Sequence, residues 1–390
     1  MKILLIGEYN RAHRNIKQGL ESLGHEATVI STTDGFKKVE VDIELTEHFT
    51  SFFLNKIRIL LYKLTKINLL SVSLLYQIKS KKEQLSGFDI IQLINESPFN
   101  IEAKDHVKMI NWLKEWNTAK FFLLSCGLDY PSVAYAMDKK FRYSILTPYF
   151  EGKVPKEDHS LGLRYLTPRF KKLHHYIYRM SEGVISNDLD YYLPLDSHPK
   201  HLGMIPHAIN LSQLQYQEPI VKDKIIIFHG INTYNYYKKG NDIFEKALDI
   251  ISKNYANFIE IITVENLPYK DYIKKFDRAH ILLDQVYAYD QGYNALEAMA
   301  KGKVVFTGAE KEWLDYFNLT EDTVAINALP DPKAIASKLI WLIKHPNKII
   351  EISKNARGFI EQHHDHVNCA KAYLDTWNLD LKNKPHATER

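Results

Sequence analysis

Short apolar runs rich in Ile, Leu, Val and Phe alternate along the chain with segments in which apolar residues recur at helical spacing. In the first half, the apolar runs predict strands at residues 2–6, 27–31, 88–94, 120–125, 143–146 and 183–186. Residues 14–23 have helical spacing and are followed by Gly24, which is typical of a helix end. Strands that alternate with helices indicate a doubly wound α/β architecture.

The same alternation starts again in the second half of the chain. It predicts strands at residues 224–229, 258–264, 279–284 and 303–307, and helices at residues 241–252, 269–276, 294–301 and 331–343. Residues 205–210 and the polar residues 211–223 separate the two series. We therefore predict two Rossmann-like lobes, residues 1–205 and 206–372, and a tail of residues 373–390 that is able to cross back to the first lobe.

Length and composition fit two lobes and exclude several other classes of protein. With 390 residues, 45% of them apolar and 25% charged, the chain is typical of a globular protein with more than one core. The net charge of +4 is too small to indicate a nucleic-acid partner. Cys126 and Cys369 are the two cysteines, which excludes a disulfide framework and favours a reducing compartment. The apolar start is typical of a strand rather than a signal peptide, so we expect a cytoplasmic protein.

One stretch of the first half is both basic and apolar. Residues 48–82 contain no acid and seven basic side chains: Lys56, Arg58, Lys63, Lys66, Lys79, Lys81 and Lys82. Apolar residues between positions 52 and 64 recur there at roughly helical spacing. Two interpretations remain open: a helix packed on the lobe with a solvated lysine face, or a surface for a membrane headgroup layer or a lipid phosphate. The second implies peripheral contact with an anionic membrane, at its inner face.

Candidate chemistry concentrates in residues 284–305, which predict a strand, a polar loop containing Gly292, a helix and a second strand. Such a loop lies at the carboxyl end of a parallel strand, where α/β sheets bind ligands. The free N–H groups at the start of the helix attract an anion such as a diphosphate. Glu297 lies one turn into this helix among apolar residues. Two vicinal ribose hydroxyls would satisfy its carboxylate, and a solvent-facing glutamate is the alternative.

A second polar segment follows the first predicted strand of the second half. That strand ends near Gly230, and Lys239-Gly240 precedes the next predicted helix. A glycine at a strand end lets the backbone approach a phosphate, and a nearby lysine neutralises the phosphate charge. Lys-Gly is a common loop dipeptide, so this segment is informative only together with Glu297.

These residues together resemble the C-terminal lobe of the GT-B glycosyltransferases, especially the retaining family four, or group one. Residues 296–304, Leu-Glu-Ala-Met-Ala-Lys-Gly-Lys-Val, are similar to the family's Leu-Glu-Ala-Met-Ala-x-Gly-x-Pro, with Val304 in place of the proline. Lys239-Gly240 is similar to the family's Lys-Gly. The resemblance implies a GT-B fold in which two lobes face each other across a cleft. It also implies that Lys239 holds the donor diphosphate and that Glu297 binds the ribose.

The sequence departs from the family at two positions of the second lobe. The first glutamate of the family's Glu-x7-Glu motif falls at Tyr289, beside Asp290, and Ile231 stands where the family has an arginine after Gly230. These departures leave the identity of the donor open. The donor and nucleotide site that the resemblance implies comprises Gly230, Asn232, Lys239, Tyr269, Asp290, Gln291, Gly292, Tyr293, Asn294 and Glu297.

In the first lobe, residues 7–14 follow the first strand, where the family has a loop that touches the donor phosphate and the acceptor. The residues expected on the acceptor or phosphate side are Glu8, Asn10, Arg11, His13, Arg14 and Asp129, and a surface loop without a role is the alternative for residues 7–14. Cys126 stands near the place of the family's histidine beside the donor sugar. Asp129 is then the nearest group able to act on a sugar hydroxyl, unless it caps a helix. The catalytic residues expected are thus Lys239, Glu297 and Asp129.

No metal ion is expected, because Lys239 and the helix start supply positive charge and because we recognise no Asp-x-Asp ligand motif. The run of histidine and aspartate at residues 363–366 is interpreted as solvated polar residues, since neighbours on a helix point in different directions.

The resemblance implies transfer of a sugar from a UDP- or GDP-linked donor to a glycan or lipid-linked acceptor. It further implies retention of configuration and a place in the assembly of a bacterial surface polysaccharide or glycan. Two alternatives remain open. One is a GT-B-shaped protein that binds a nucleotide or glycan without catalysis, and the other is a sugar-nucleotide epimerase.

Overall fold

The computed structural model describes residues 1–32 and 39–379, apart from the side chain of Tyr269. Within these residues the chain forms two β-sheets flanked by helices. The strands of the first sheet are β1 (Lys2–Ile6), β2 (Glu26–Thr32), β3 (Ile43–Leu45), β4 (Ile90–Leu93), β5 (Lys120–Ser125), β6 (Gly183–Ser186) and β7 (His201–Met204). Those of the second sheet are β8 (Ile225–Ile231), β9 (Ile259–Glu265), β10 (Ile281–Leu283), β11 (Val304–Thr307) and β12 (Ile326–Asn327).

Both sheets are doubly wound. The first has the order β3-β2-β1-β4-β5-β6-β7 and the second the order β12-β11-β10-β8-β9, with neighbouring strands parallel. The strand order reverses between β1 and β4 in one sheet and between β8 and β10 in the other. Ligands of such sheets bind beyond the carboxyl ends of the strands at these reversals. The predicted α/β class with two doubly wound lobes is confirmed.

Helices cover both sheets. Those of the first lobe are α1 (Ala12–Ser22), α2 (Phe52–Thr65), α3 (Leu69–Ser80), α4 (Ala103–Trp116), α5 (Tyr130–Met137), α6 (Thr147–Phe150), α7 (Ser160–Leu163), α8 (Pro168–Met180) and α9 (Leu189–Leu195). The later helices are α10 (Asn241–Tyr255), α11 (Tyr269–Asp277), α12 (Tyr293–Ala300), α13 (Lys311–Phe317), α14 (Pro332–Lys344), α15 (Pro346–His363) and α16 (His366–Asn378). One buried apolar cluster contains residues from both lobes, among them Ile16, Tyr293 and Trp377. The lobes therefore share part of their core.

The predicted strand at residues 143–146 is wrong. The segment forms a turn that leads into α6, in which the Ser144 N–H donates to Thr147 Oγ1 (2.8 Å) and the Leu146 N–H donates to Ser144 Oγ (3.1 Å). Hydroxyl side chains that bond the local backbone compete with a strand ladder in this way. The strands that the sequence pattern missed, β3, β7 and β12, are two to four residues long and lie at sheet edges, too short for a period to show.

The last helix returns to the first lobe. α16 packs along α1, where Gly19 lies so close that a Cβ on it would be 2.1 Å from the carbonyl oxygen of His366. Trp377 is fully buried and its Nε1 donates to Gln92 Oε1 of β4 (3.2 Å). Within the predicted tail, residues 373–378 belong to α16, and residues 380–390 lie outside the described residues. The division of the chain at residue 205 stays a prediction.

The polar run at residues 363–366 is not solvated as expected. His364 and His366 are buried, and His364 Nδ1 lies 2.8 Å from the carbonyl oxygen of His207. Asp365 caps α16 by accepting from the N–H groups of Val367 and Asn368. The break between α15 and α16 lies against the segment that joins the two lobes, and this contact removes the histidines from water.

Candidate functional site

A cavity of about 760 Å³ lies between the two lobes. The first lobe contributes Asn10, Arg11 and Asn15, which come from the loop after β1 and from α1. The second lobe contributes the carboxyl ends of its strands and the start of α12, with Gly230, Asn232, Lys239, Gly292, Tyr293, Asn294 and Glu297 among the lining residues. The structure thus brings seven of the ten predicted donor-site residues to one cavity, at the strand reversal where a ligand is expected.

Lys239 is held in this cavity by a buried carboxylate. Its Nζ lies 3.1 Å from Oδ1 of Asp284, and Asn294 Nδ2 donates to the same oxygen at 3.0 Å. Asp284 follows β10 directly and is almost fully buried, so it needs these donors. It fixes the ammonium group beside the start of α12. Sequence analysis noted Asp284 only as part of a strand end and gave it no role.

The start of α12 is open to the cavity. Gly292 is the residue before the helix, and a Cβ built on it would meet no atom within 4 Å. The N–H groups of the first helical turn have no acceptor within the helix, and the helix dipole adds partial positive charge there. Together with Lys239, this end of α12 is suited to an anion such as a diphosphate.

Glu297 and Arg11 form an ion pair across the cleft. Arg11 Nη1 lies 3.2 Å from Glu297 Oε1, with 29% and 15% of the two side chains exposed. Arg11 and Asn10 both have left-handed backbone conformations, with φ of 75° and 51°. Asparagine tolerates this conformation, whereas at an arginine it costs roughly 1–2 kcal/mol. The strain of the loop after β1 therefore lies chiefly at Arg11, the residue that pairs with Glu297 of the second lobe.

The structure does not bring Glu8, His13 and Arg14 into the cavity. Glu8 is buried and accepts from the N–H of Arg14 (2.8 Å), which stabilises the first turn of α1, and burial raises its pKa to about 7. His13 is buried with Nδ1 2.8 Å from the carbonyl oxygen of Gly7, and burial lowers its pKa to about 3. The guanidinium of Arg14 lies 3.5 Å from Glu40. Glu8 and His13 pack inside the first lobe and Arg14 pairs with Glu40, and these contacts keep all three side chains out of the cavity.

Asp129 caps a helix, which is the alternative that the sequence left open. It accepts from the N–H of Ser132 (2.9 Å) and completes a capping box at the start of α5. Burial raises its pKa to about 6. It is almost fully buried and lines neither the first cavity nor the second one described below.

Two of the lining residues, Gly230 and Asn232, shape the edge of the cavity. Gly230 lies against Tyr272, whose Cε2 would be 2.9 Å from a Cβ at that position. Asn232 accepts from the N–H of Tyr234 (3.1 Å) and so forms the turn after β8. Tyr269 begins α11, and its side chain lies outside the described residues.

The loop before α12 is fixed from both sides. Gln291 is buried and its Nε2 donates to the carbonyl oxygen of Gly308 (2.7 Å). The ring of Tyr293 packs on His207, with 4.5 Å between the ring centroids. Gln291 therefore supports the loop from behind, whereas Tyr293 and Asn294 face the cavity.

A second cavity of about 410 Å³ adjoins the first. The two share Asn235, Lys239, Gln285 and Gly292, so they meet beside the ammonium group and the start of α12. The second cavity also reaches His159, which is buried and whose Nε2 has no hydrogen-bond partner among the described residues.

Three of the carboxylates that line the second cavity form a cluster, with oxygens of Asp188, Asp190 and Asp290 within 4.8 Å of one another. Asp290 accepts from the N–H of Leu189 (2.9 Å), and Asp190 accepts from the N–H of Tyr289 (3.4 Å). Each of these two carboxyl groups thus bonds the backbone of the opposite lobe. Burial raises the pKa of Asp188 to about 7. Burial also raises the pKa of Asp190 and of Asp290 well above the usual range, and repulsion from the neighbouring carboxylates of the cluster adds to this rise.

Sequence analysis missed this cluster. Asp188-Leu189-Asp190 has the Asp-x-Asp spacing, so the statement that no such motif is recognised was wrong. Deprotonated carboxylates at this separation are able to hold a divalent cation. The first two belong to the start of α9 and the third to the loop before α12, about a hundred residues later, so no local pattern joins them.

Comparisons with known sequences agree with the geometry of the second lobe. Residues 238–375, which include Lys239 and Glu297, match the model of a family described as glycosyl transferase-like. A search of curated proteins gives no match.

Solved structures share the fold over nearly the whole chain. Sucrose-phosphate synthase from Thermosynechococcus elongatus has a TM-score of 0.62 at 14% identity, covering 97% of this chain and 98% of that one. A TarM variant from S. aureus, in complex with fondaparinux, α-GlcNAc-glycerol and UDP, has a TM-score of 0.61 at 11% identity, covering 97% and 100%. HepE from Anabaena, in complex with UDP and glucose, has a TM-score of 0.58 at 13% identity, covering 96% and 99%.

The likeness to these structures shows the fold, and the family match adds the residues around Lys239 and Glu297. The resemblance inferred from Lys239-Gly240 and residues 296–304 is thereby confirmed. The chain is a GT-B-fold protein that resembles the group-one glycosyltransferases.

Proposed function

We propose that the protein is a glycosyltransferase that binds a nucleotide-sugar in the first cavity. The observation that carries this proposal is the convergence of Lys239, the start of α12 and Glu297 on one cavity between the lobes. An ammonium group and free N–H groups suit a diphosphate, and a carboxylate one turn further along α12 suits the two hydroxyls of a ribose. Lys239 and the start of α12 thus match the diphosphate, and Glu297 matches the ribose that follows the diphosphate in a nucleoside diphosphate.

The same groups support the chemistry of transfer. As the bond between the sugar and the diphosphate breaks, negative charge develops on the leaving group. Lys239 and the start of α12 are already oriented toward that position, because Asp284 holds the lysine and is itself held by Asn294 of α12. Preorganised charge of this kind stabilises a transition state without further rearrangement.

Arg11 compensates for the arginine that the second lobe lacks at Ile231. It enters the cavity from the first lobe and pairs with Glu297 in the absence of a ligand. When the ribose hydroxyls bind Glu297, the ion pair breaks and the Arg11 guanidinium is released next to the diphosphate. Arg11 then becomes a second cation for the phosphates, supplied from the opposite lobe.

The second cavity is the place for the transferred sugar and the incoming acceptor. It meets the first at Lys239 and Gly292, where the sugar–phosphate bond would lie. Retention of configuration, a UDP- or GDP-linked donor, a glycan or lipid-linked acceptor and a role in bacterial surface polysaccharide assembly remain parts of this proposal. UDP is the first probe, because the HepE and TarM structures contain it. The catalytic role of Asp129 stays a prediction without structural support.

Calorimetric titration with UDP and with uridine tests the site. Lys239→Ala should weaken UDP far more than uridine, because it removes a phosphate partner. Glu297→Ala should weaken both, on the order of a hundredfold, because it removes up to two charge-assisted hydrogen bonds of ~1.5–3 kcal/mol each. Lys246→Ala, an exposed lysine on α10 outside both cavities, is the matched control and should change neither affinity. Equal losses for the two ligands in Lys239→Ala would remove the lysine from the phosphate site.

A panel of nucleotide-sugars then separates the proposed activity from its alternatives. Slow hydrolysis of one donor in the absence of acceptor indicates a transferase. Formation of an epimer indicates an epimerase, and binding without turnover of any donor indicates a non-catalytic binding protein.

A further inference from the structure

Helix α2 presents its apolar side chains to solvent, and the face that it turns toward the protein is polar. Among residues 52–65, all of which the structure describes, none is buried. The partly covered positions include Asn55, Arg58 and Tyr62, which recur at three- and four-residue spacing and so share one face. On the opposite face, Phe53 is 71% exposed and Leu64 is 73% exposed. This orientation is the reverse of that of an ordinary surface helix, whose apolar stripe faces the core.

The next helix provides the packing that α2 does not. In α3, Leu70, Leu74 and Ile78 are buried in the core of the first lobe. The interpretation of residues 52–64 as a helix packed by its apolar residues on the lobe is therefore not supported. Phe53, Ile57, Leu60 and Leu64 form a continuous apolar stripe on the outside, which we call the α2 stripe.

Basic side chains flank the α2 stripe. Lys56 and Lys63 lie on one side of it along the helix, and Lys66 follows the helix end. Lys79 and Lys82, at the far end of α3, instead lie against the rings of Trp112 and Trp116, and no acid occurs in residues 48–82. An apolar stripe bordered by the lysines of its own helix is complementary to a layer of anionic headgroups over hydrocarbon.

A second copy of the chain would fit this surface less well. Two α2 stripes placed face to face would bring lysines opposite lysines, with no acid in residues 48–82 to pair with them. Like charges at such a contact repel and oppose association.

In the described residues, no single helix is long and apolar enough to cross a membrane, and α2 and α3 pass that test only as a pair bent by 97°.

We propose that α2 docks on an anionic phospholipid surface, with the α2 stripe inserted among the headgroups and its lysines on the lipid phosphates. Each lysine near such a surface favours binding by about fivefold, and the exposed Phe and Leu side chains add apolar burial. The proposal does not depend on the glycosyltransferase activity, because it rests on a surface of the first lobe away from both cavities.

Flotation with phospholipid vesicles tests the proposal on the full chain. The protein should float with vesicles that contain phosphatidylglycerol, should float less as salt is raised, and should stay unbound with vesicles of phosphatidylcholine alone. Replacing apolar side chains in Phe53→Ser/Leu60→Ser/Leu64→Ser should abolish flotation. The matched control Ile220→Ser/Phe258→Ser removes exposed apolar side chains elsewhere and should float like the parent protein.

Charge reversal gives a second, independent comparison. Lys56→Glu/Lys63→Glu should weaken binding to the anionic vesicles by about twenty-fivefold or more, which is two lysine contributions, whereas Lys274→Glu/Lys348→Glu should not. Unchanged thermal unfolding of all variants establishes that they are folded. The proposal is overturned by equal flotation with both vesicle types, by unaltered flotation of the α2 variants, or by sedimentation showing a dimer that only those variants lose.

Discussion

Arg11 combines a left-handed backbone with an ion pair that crosses from one lobe to the other. The strain in its backbone is maintained because α1 begins immediately after it and is capped by the buried Glu8. Backbone strain costs stability, so strain at a residue that reaches a candidate ligand site indicates a functional role. In the proposed nucleotide site, a ribose and Arg11 would compete for the one carboxylate of Glu297.

Replacing Arg11 with alanine should therefore act in opposite directions on two ligands. Uridine should bind about two- to fivefold more tightly, because a partly exposed ion pair of up to about 1 kcal/mol no longer competes for Glu297. UDP should bind about ten- to a hundredfold more weakly, because the diphosphate loses a charge-assisted partner. Calorimetric titration of both ligands measures this. Weaker binding of uridine, or unchanged binding of UDP, would contradict the proposed exchange of partners.

The sequence identified residues that lie in a recognisable pattern, such as Lys239 before a helix and Glu297 within residues 296–304. It could not show that Glu8 and His13 turn inward while Arg11 turns outward, because neighbouring loop residues differ only in their tertiary contacts. Asp284 was readable as the last residue of a predicted strand. Its partnership with Lys239 required coordinates, since the two are 45 residues apart.

The contact between α1 and α16 links the end of the chain to its beginning. Gly19 makes it close, because any side chain there would collide with the backbone carbonyl of His366 and with Ala370. The helical period predicted α1, α10, α11, α12 and α14 to within a few residues, but it assigned no helix to the residues of α4 and α8. It could not predict which helix α16 would meet, since that depends on the path of the whole chain.

Gly19→Ala should destabilise the protein although alanine favours a helix. The added methyl group overpacks the contact and should cost roughly 1–3 kcal/mol, because a backbone atom rather than a flexible side chain is in its way. Gly358→Ala on α15 is the matched control, since its Cβ would meet no atom within 4 Å, and it should stabilise by about 0.5–1 kcal/mol. Urea unfolding of both variants measures the difference. Equal or greater stability of Gly19→Ala would show that α16 is not held against α1.

Several contacts besides the shared core hold the lobes in one arrangement. The Arg142 guanidinium binds Glu310 (2.5 Å) and Glu312 (2.6 Å), and the Arg142 N–H donates to the Tyr289 hydroxyl (2.8 Å). The carboxyl groups of Asp190 and Asp290 add the reciprocal bonds to backbone N–H groups of the opposite lobe. These contacts join residues more than 95 positions apart, so sequence analysis predicted two lobes without predicting how they meet.

The carboxyl cluster should make the lobe arrangement sensitive to pH. Because the pKa of Asp188 is raised to about 7, and those of Asp190 and Asp290 are also raised, the closed arrangement binds more protons than an open one. Closure is then most favoured below about pH 4, the ordinary pKa of an aspartate, and weakens as pH rises from there through about 7, by up to about 1.4 kcal/mol per pH unit for each proton released. Small-angle X-ray scattering should show a larger radius of gyration at pH 9 than at pH 6.

Replacing both Asp190 and Asp290 with asparagine separates the effect of charge from the effect of hydrogen bonding. In Asp190→Asn/Asp290→Asn, the amide oxygens still accept the backbone N–H groups but carry no charge, so the pH dependence should shrink to the part that Asp188 contributes while the lobes stay closed. Asp271→Asn, an exposed acid on α11, is the control and should keep the pH dependence of the parent protein. A radius of gyration that does not change with pH in the parent protein would rule out this role.

The return of α16 to the first lobe has a consequence for biosynthesis. During translation, α1 and β4 are synthesised early. Trp377, whose side chain bonds Gln92 of β4, is synthesised only after the second lobe. Throughout that interval the nascent first lobe carries an uncovered apolar groove along α1. The first lobe therefore completes its fold only after α16 has been synthesised. We expect chaperones to bind nascent chains that stall before α16.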